Sequence, residues 1–204
     1  MVPSMRSGCS ERRWPGLRWL VVPWALLPLL AGPVAPAQRS GWELAVFPVL
    51  AFERYSSAFG HRHHPMHGDV RLHEGLDIAA AAGSPVRSWW RGRVAAVIHD
   101  RGCGLGVVVR SGDYEHLYCH LSGRVSGGAY RSDGVLLQTG DRVETGQLIG
   151  RVGSSGMATG PHLHWSLRWR GHLVDPAAVL RAMAGGRSWP SITAGSASNL
   201  KFVR

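Results

Sequence analysis

Charge is scarce in this chain of 204 residues, where Asp, Glu, Lys and Arg together make up only 18%. Other absences narrow the reading further. There is no run of Lys and Arg interleaved with aromatics and no nucleic-acid module signature, so nucleic acid is not expected as a partner. No internal repeat and no coiled-coil heptad shows, which excludes a solenoid and a rod. The apolar run near the start, Trp19–Leu30, is short and broken by Pro23 and Pro28, so it makes a poor membrane span. Cysteine is nearly absent, with three residues in all.

What is present points to strands and turns. Gly reaches 27 and Pro 12, and the apolar residues fall in short Val-rich runs, the composition of a β-dominated domain. The length suits one domain plus appendages with a real core. Net charge is +10; residues 1–37 hold four arginines against Glu11, which leaves +7 on the remainder. Such a protein is drawn to polyanions, among them acidic lipids and anionic cell-wall polymers.

Residues 1–37 read as an export signal. Arg6, Arg12, Arg13 and Arg18 form a positive start, the apolar run follows, and Ala35-Pro36-Ala37 offers small residues for cleavage before Gln38. An uncleaved anchor is the alternative. After cleavage no stable membrane span is expected. Cys9 precedes the apolar run and so cannot serve as a lipid-attachment site after cleavage. The exported chain keeps Cys103 and Cys119, which flank a hairpin turning at Ser111-Gly112-Asp113. A disulfide and a buried free thiol are both open there.

The expected organisation is a lead-in over 38–58, a β-domain over 59–178, and a C-terminal helix and basic tail over 179–204. Leu44–Phe52 reads as an edge strand or packing arm. Strands are expected at Pro85–Trp90, Gly92–Ile98, Gly106–Arg110, Glu115–His120, Arg142–Val143, Gln147–Val152 and His162–Trp169. Residues 122–139, polar and Gly-rich, read as a surface insertion. Asp175-Pro176 caps and starts a helix over Ala177–Ala184, and Gly185-Gly186 stops it. The fold class is therefore all-β: a compact antiparallel sheet domain, sandwich- or barrel-like, with one short C-terminal helix.

Eleven histidines is a high number for this length, and they are not equivalent. In Gly160-Pro161-His162-Leu163-His164-Trp165 the two imidazoles share one side of an extended segment, with Leu163 and Trp165 facing a core. In His73-Glu74-Gly75-Leu76-Asp77 no helical period is sustained, which disfavours a helical zinc motif. The fitting version places His73 on a loop, lets Gly75 turn the chain, and carries Asp77 into a strand. Tyr118 and His120 are expected on one face of their strand, with His116. The His-rich stretch 61–67 reads as a solvated loop, because adjacent His63 and His64 cannot easily reach one ion. Zinc catalysis needs three protein ligands, an open fourth position, and groups to move a proton and steady an oxyanion. His73, Asp77, His120, His162 and His164 could supply that set. Spacing alone leads to an exported zinc hydrolase as a candidate, with surface histidines beside a capping Asp as the alternative.

The sequence also resembles the lysostaphin-type (LytM-like) zinc metallopeptidases, which cut peptides of bacterial peptidoglycan. The resemblance covers roughly residues 59–178. It rests on Phe59-Gly60-x-Arg62-x-x-Pro65, His73-x-Gly75-x-Asp77-Ile78-Ala79-Ala80, Gly83-Ser84-Pro85-Val86 and Tyr118-Cys119-His120-Leu121, followed by two long blocks over 140–150 and 153–164. It implies His73, Asp77 and His164 as zinc ligands, and His120 and His162 as the two catalytic histidines. It also implies a groove over the sheet, peptidoglycan as the partner and zinc as the cofactor. Two departures stand out. Trp165-Ser166 occupies the place where the family usually has an aromatic followed by an acid, and 122–139 is long enough to reshape one wall of the groove. The competing readings are an inert cell-wall scaffold or amidase activator on the same fold, and metal handling by residues 61–67.

Overall fold

Antiparallel pairing about one central strand organises the chain. The computed structural model describes residues 44–63 and 68–185. The expectations for residues 1–43, for His64 to His67 and for the tail from Gly186 onward lie outside the described residues. Elements follow in the order β1 (Arg54–Ser57), β2 (Gly60–His63), β3 (Val70–His73), β4 (Leu76–Ala79), β5 (Pro85–Arg87), β6 (Gly92–Asp100) and β7 (Gly104–Ser111). Next come β8 (Tyr114–Cys119), β9 (Arg124–Ser126), β10 (Ala129–Ser132), β11 (Val135–Gln138), β12 (Arg142–Val143), β13 (Leu148–Arg151), β14 (His162–Trp169) and β15 (His172–Val174). A single helix, α1 (Pro176–Ala184), closes the described chain; Asp175 caps it by accepting the Ala177 N–H.

The main sheet runs β1-β4-β14-β8-β7-β6-β12, with β15 paired to β14. Along β14, Leu163, Trp165 and Leu167 are fully buried, and they face a core that includes Ile78, Trp89, Val107, Val109 and Tyr118. His162, His164, Ser166 and Arg168 alternate onto the other face. One face of the sheet is thus core and the other is free to carry a site.

Several elements differ from the sequence reading. Residues 122–139 are no loose insertion: β9, β10 and β11 form their own antiparallel sheet and deliver Tyr130, Val135 and Leu137 to the core. Their strands are too short, and their turns too rich in Gly, for alternation to show in the sequence. His73 ends strand β3 rather than sitting on a loop, and His61 to His63 belong to β2, which pairs with β3 as a hairpin. Leu44–Phe52 packs as an arm through Val49, bridged to Val86, while the edge strand lies just beyond it at β1. Cys103 and Cys119 are joined in a disulfide. Among the described residues, no helix is long and apolar enough to cross a membrane.

Candidate active site

The register of β14 builds the centre of the site. His164 stands directly opposite Asp77 of β4 on one side and Cys119 of β8 on the other, so all three project from one face. His73 enters from the end of β3, two residues before the Gly75 bend. A Cβ on Gly75 would lie 2.7 Å from both the Trp165 carbonyl oxygen and Ser166 Oγ, and 2.8 Å from His164 Cε1. Only glycine lets the chain pass this close beneath the His164 ring.

Three donor atoms converge. His73 Nε2 lies 3.1 Å from Asp77 Oδ1 and 3.1 Å from His164 Nδ1, and His164 Nδ1 lies 2.8 Å from Asp77 Oδ1. Zinc bound tetrahedrally at about 2.0–2.2 Å holds neighbouring donors about 3.3–3.5 Å apart, so a small outward adjustment seats the ion. Two imidazoles and one carboxylate leave a fourth position open. The donor set fits zinc.

The tautomers fit as well. His73 Nδ1–H donates to the Ala58 carbonyl at 2.7 Å, which leaves the Nε2 lone pair for the centre. His164 Nε2 meets Ser166 Oγ at 3.0 Å; donating its hydrogen there leaves Nδ1 free to face the same point. The serine that stands in place of the family's usual acid therefore supports His164 directly. Burial alone would raise the Asp77 carboxyl, but in the metal-free centre His164 and His73, when a second proton sits on the nitrogens that face it, donate to it and attract it, and together they outweigh burial and hold it well below the usual carboxylate range. Arg62 Nη2 stands 3.5 Å from the other oxygen, Asp77 Oδ2.

Two further imidazoles flank the triad. His162 Nε2 is 3.7 Å from Asp77 Oδ1, and the His120 and His162 rings are 4.7 Å apart. Each has its Nδ1 held by a carbonyl, His120 by Ser155 at 2.8 Å and His162 by Gly160 at 2.8 Å, so each turns Nε2 away from that anchor. Burial lowers the His120 imidazole to about 4, against a weaker upward pull from its bond to Ser155; at neutral pH it is an uncharged base. All five residues line one cavity of about 350 Å³ with Arg62, Met157 and Thr159. None of residues 122–139 lines it, so that segment does not form a wall of this cavity.

His120 reaches the cavity by a route that alternation does not give. His116 and Tyr118 point into the core, and continued alternation would send His120 after them. Instead β8 ends at Cys119 and His120 takes a left-handed backbone, φ 61°, which separates its side chain from theirs. The sequence reading that put the three on one face is thus corrected. It also missed four supports: the Ala58, Ser155 and Gly160 carbonyls and Arg62. Arg62 carried a signal in its Phe59-Gly60-x-Arg62 setting, whereas the backbone carbonyls carried none.

The sequence model of peptidase family M23 matches residues 71–176. The DD-carboxypeptidase/endopeptidase Mpg of Neisseria meningitidis is 39% identical over 131 residues, 64% of this chain and 28% of that protein. The peptidoglycan DD-endopeptidase ShyC of Vibrio cholerae is 36% identical over 132 residues, again 64% of this chain and 28% of that protein. A solved zinc-containing peptidase from Vibrio cholerae is similar with a TM-score of 0.54 and 32% identity, covering 63% of this chain and 37% of that one. The chain thus spans 28% of the length of the curated relatives it matches.

Proposed function

The chain belongs to peptidase family M23, and from that premise we propose that it is an exported zinc-dependent endopeptidase acting on bacterial peptidoglycan. The bond favoured is one between D-configured residues of the stem-peptide cross-link, as the names of the relatives from Neisseria meningitidis and Vibrio cholerae support. What carries the reading is the convergence of His73 Nε2, Asp77 Oδ1 and His164 Nδ1 within 3.1 Å of one another, with two more imidazoles alongside.

In this reading His73, Asp77 and His164 hold the zinc ion, which when bound polarises a carbonyl and acidifies a water. His120 is the proton acceptor: neutral by burial, with Nδ1–H fixed on Ser155, it has only Nε2 to offer. His162, fixed through Nδ1 on Gly160, steadies the negative charge that develops on the carbonyl oxygen. Arg62 keeps Asp77 Oδ2 occupied, so Oδ1 faces the centre. Export rests on the Arg-rich, apolar, small-residue order of residues 1–37.

The test is incubation of the purified protein with intact sacculi, with mass identification of what is released. Soluble glycan strands that carry uncross-linked stem peptides, the products of a cleaved D,D cross-link, are expected, lost with a chelator and restored by zinc. Sacculi that stay cross-linked with zinc present would refute the reading.

A further inference from the structure

Across the open face of the main sheet, Arg142, Arg93, Arg110, Glu115 and Arg168 stand opposite one another on five successive strands. Residues in register share a face, and Arg168 shares the face of β14 that carries His164 and Ser166. The row therefore lies on the same side of the sheet as the candidate active site. Arg168 is four residues along β14 from His164, about 13 Å, and Arg93 stands three strands away from β14, about 14 Å across.

Half of the row is compensated and half is not. Arg110 Nε donates to Glu115 Oε1 at 3.0 Å, and Arg168 Nη2 pairs with Glu74 Oε2 at 3.1 Å. Among the described residues, Arg93 and Arg142 have no carboxylate within ion-pair distance; Arg93 donates instead to the Gly140 carbonyl. Yet Arg93 is flanked directly by Arg142 on one side and Arg110 on the other. Like charges opposed across a ladder destabilise a sheet, so stability does not explain this arrangement. The same three arginines and Arg91 line one depression of about 740 Å³, with Glu144 as its acid.

We propose that the arginine row is a distal subsite that binds carboxylates of the polymer substrate, its unpaired members Arg93 and Arg142 standing about 20 Å from the metal centre. This rests on the peptidoglycan reading above. A strand of polymer whose scissile bond lies over His164 can cross the half-buried Leu117 and Val108 and reach the row without leaving the face. Guanidinium forks match carboxylates in plane and spacing. Both ends of the path are engaged only by a ligand at least about six extended residues long.

The experiment compares the full chain with the double variant Arg93→Gln, Arg142→Gln, on sacculi and on a short soluble cross-linked peptide. Expected is a KM on sacculi raised about tenfold with kcat unchanged, a shallower salt dependence, and no change on the short peptide. The thermal midpoint should stay or rise, because opposed like charges are gone. Amidating the carboxylates of the sacculi should abolish the difference between the two proteins. Binding of both proteins to sacculi is measured alongside, so the row is read whether or not turnover occurs. An inactive wild type would count against the peptidoglycan reading. Equal binding and KM for both proteins, equal losses on both substrates, or a difference that survives amidation would overturn the subsite.

Discussion

The backbone N–H of His120 donates to the carbonyl of Cys103 at 2.9 Å, and the sulfur of that same cysteine is bonded to Cys119, the residue just before His120. The histidine is therefore held in its left-handed conformation by a hydrogen bond and a covalent link that act together. Gly106 makes room for the link, since a Cβ there would lie 2.5 Å from Cys103 Sγ.

The double variant Cys103→Ser, Cys119→Ser should keep its zinc, because neither cysteine belongs to the donor set. Turnover should fall about tenfold to a hundredfold as His120 loses its fixed orientation, with KM little changed. Unfolding free energy should drop by about 3 kcal/mol, the value for a closed loop of this size. Metal analysis, steady-state kinetics and denaturant titration read the three separately. Full turnover in the variant would mean that the link is not needed to position His120.

The alternation on β14 predicts different fates for its two histidines. His164→Ala should lose the metal, whereas His162→Ala should keep it and lose about a hundredfold or more in kcat. Zinc content per chain decides, and equal retention in both variants would contradict the division of roles.

Ser166 offers a milder perturbation of the same centre. Removing its hydroxyl in Ser166→Ala takes away the partner of His164 Nε2 without touching the donor atoms. Zinc affinity should weaken about tenfold to a hundredfold, as measured by competition with a chromogenic chelator, while activity at saturating zinc largely survives. Unchanged affinity would show that the hydroxyl does not orient the ring.

His116 predicts a pH effect on stability remote from the metal. It is fully buried, accepting from the Tyr118 hydroxyl at 2.7 Å and donating to Ser111 Oγ at 2.8 Å, and burial lowers its imidazole to about 3. The unfolded chain takes up this proton near 6.5, the folded chain only near 3. Its contribution is therefore complete above about pH 6.5 and is lost as pH falls toward 3, by at most about 1.4 kcal/mol per unit. His116→Gln should be less stable at neutral pH by about 1–3 kcal/mol, with the gap closing in acid. Parallel stability curves for the two proteins would rule this out.

By itself the sequence determined the class of fold and singled out five residues that the structure brings into one cavity. Alternation in His162–Trp169 is strict over eight residues, and β14 appears with the same bounds. The Asp175-Pro176 start of the helix was equally legible, because capping is local chemistry. Alternation, however, is informative only inside a strand. Past the end of β8 a single positive φ at His120 reverses the side of the sheet to which a residue belongs, and no local pattern announces it. Strands of three or four residues between glycine turns, as in β9 to β11, are too short to show a period, so the burial of Tyr130 was hidden. Tertiary structure alone decided which carbonyls fix the tautomers, how close the donor atoms come, and that Cys103 and Cys119 are bonded. Each of those depends on segments far apart in the chain meeting across the sheet, a register that side-chain packing sets and that spacing along the sequence does not record.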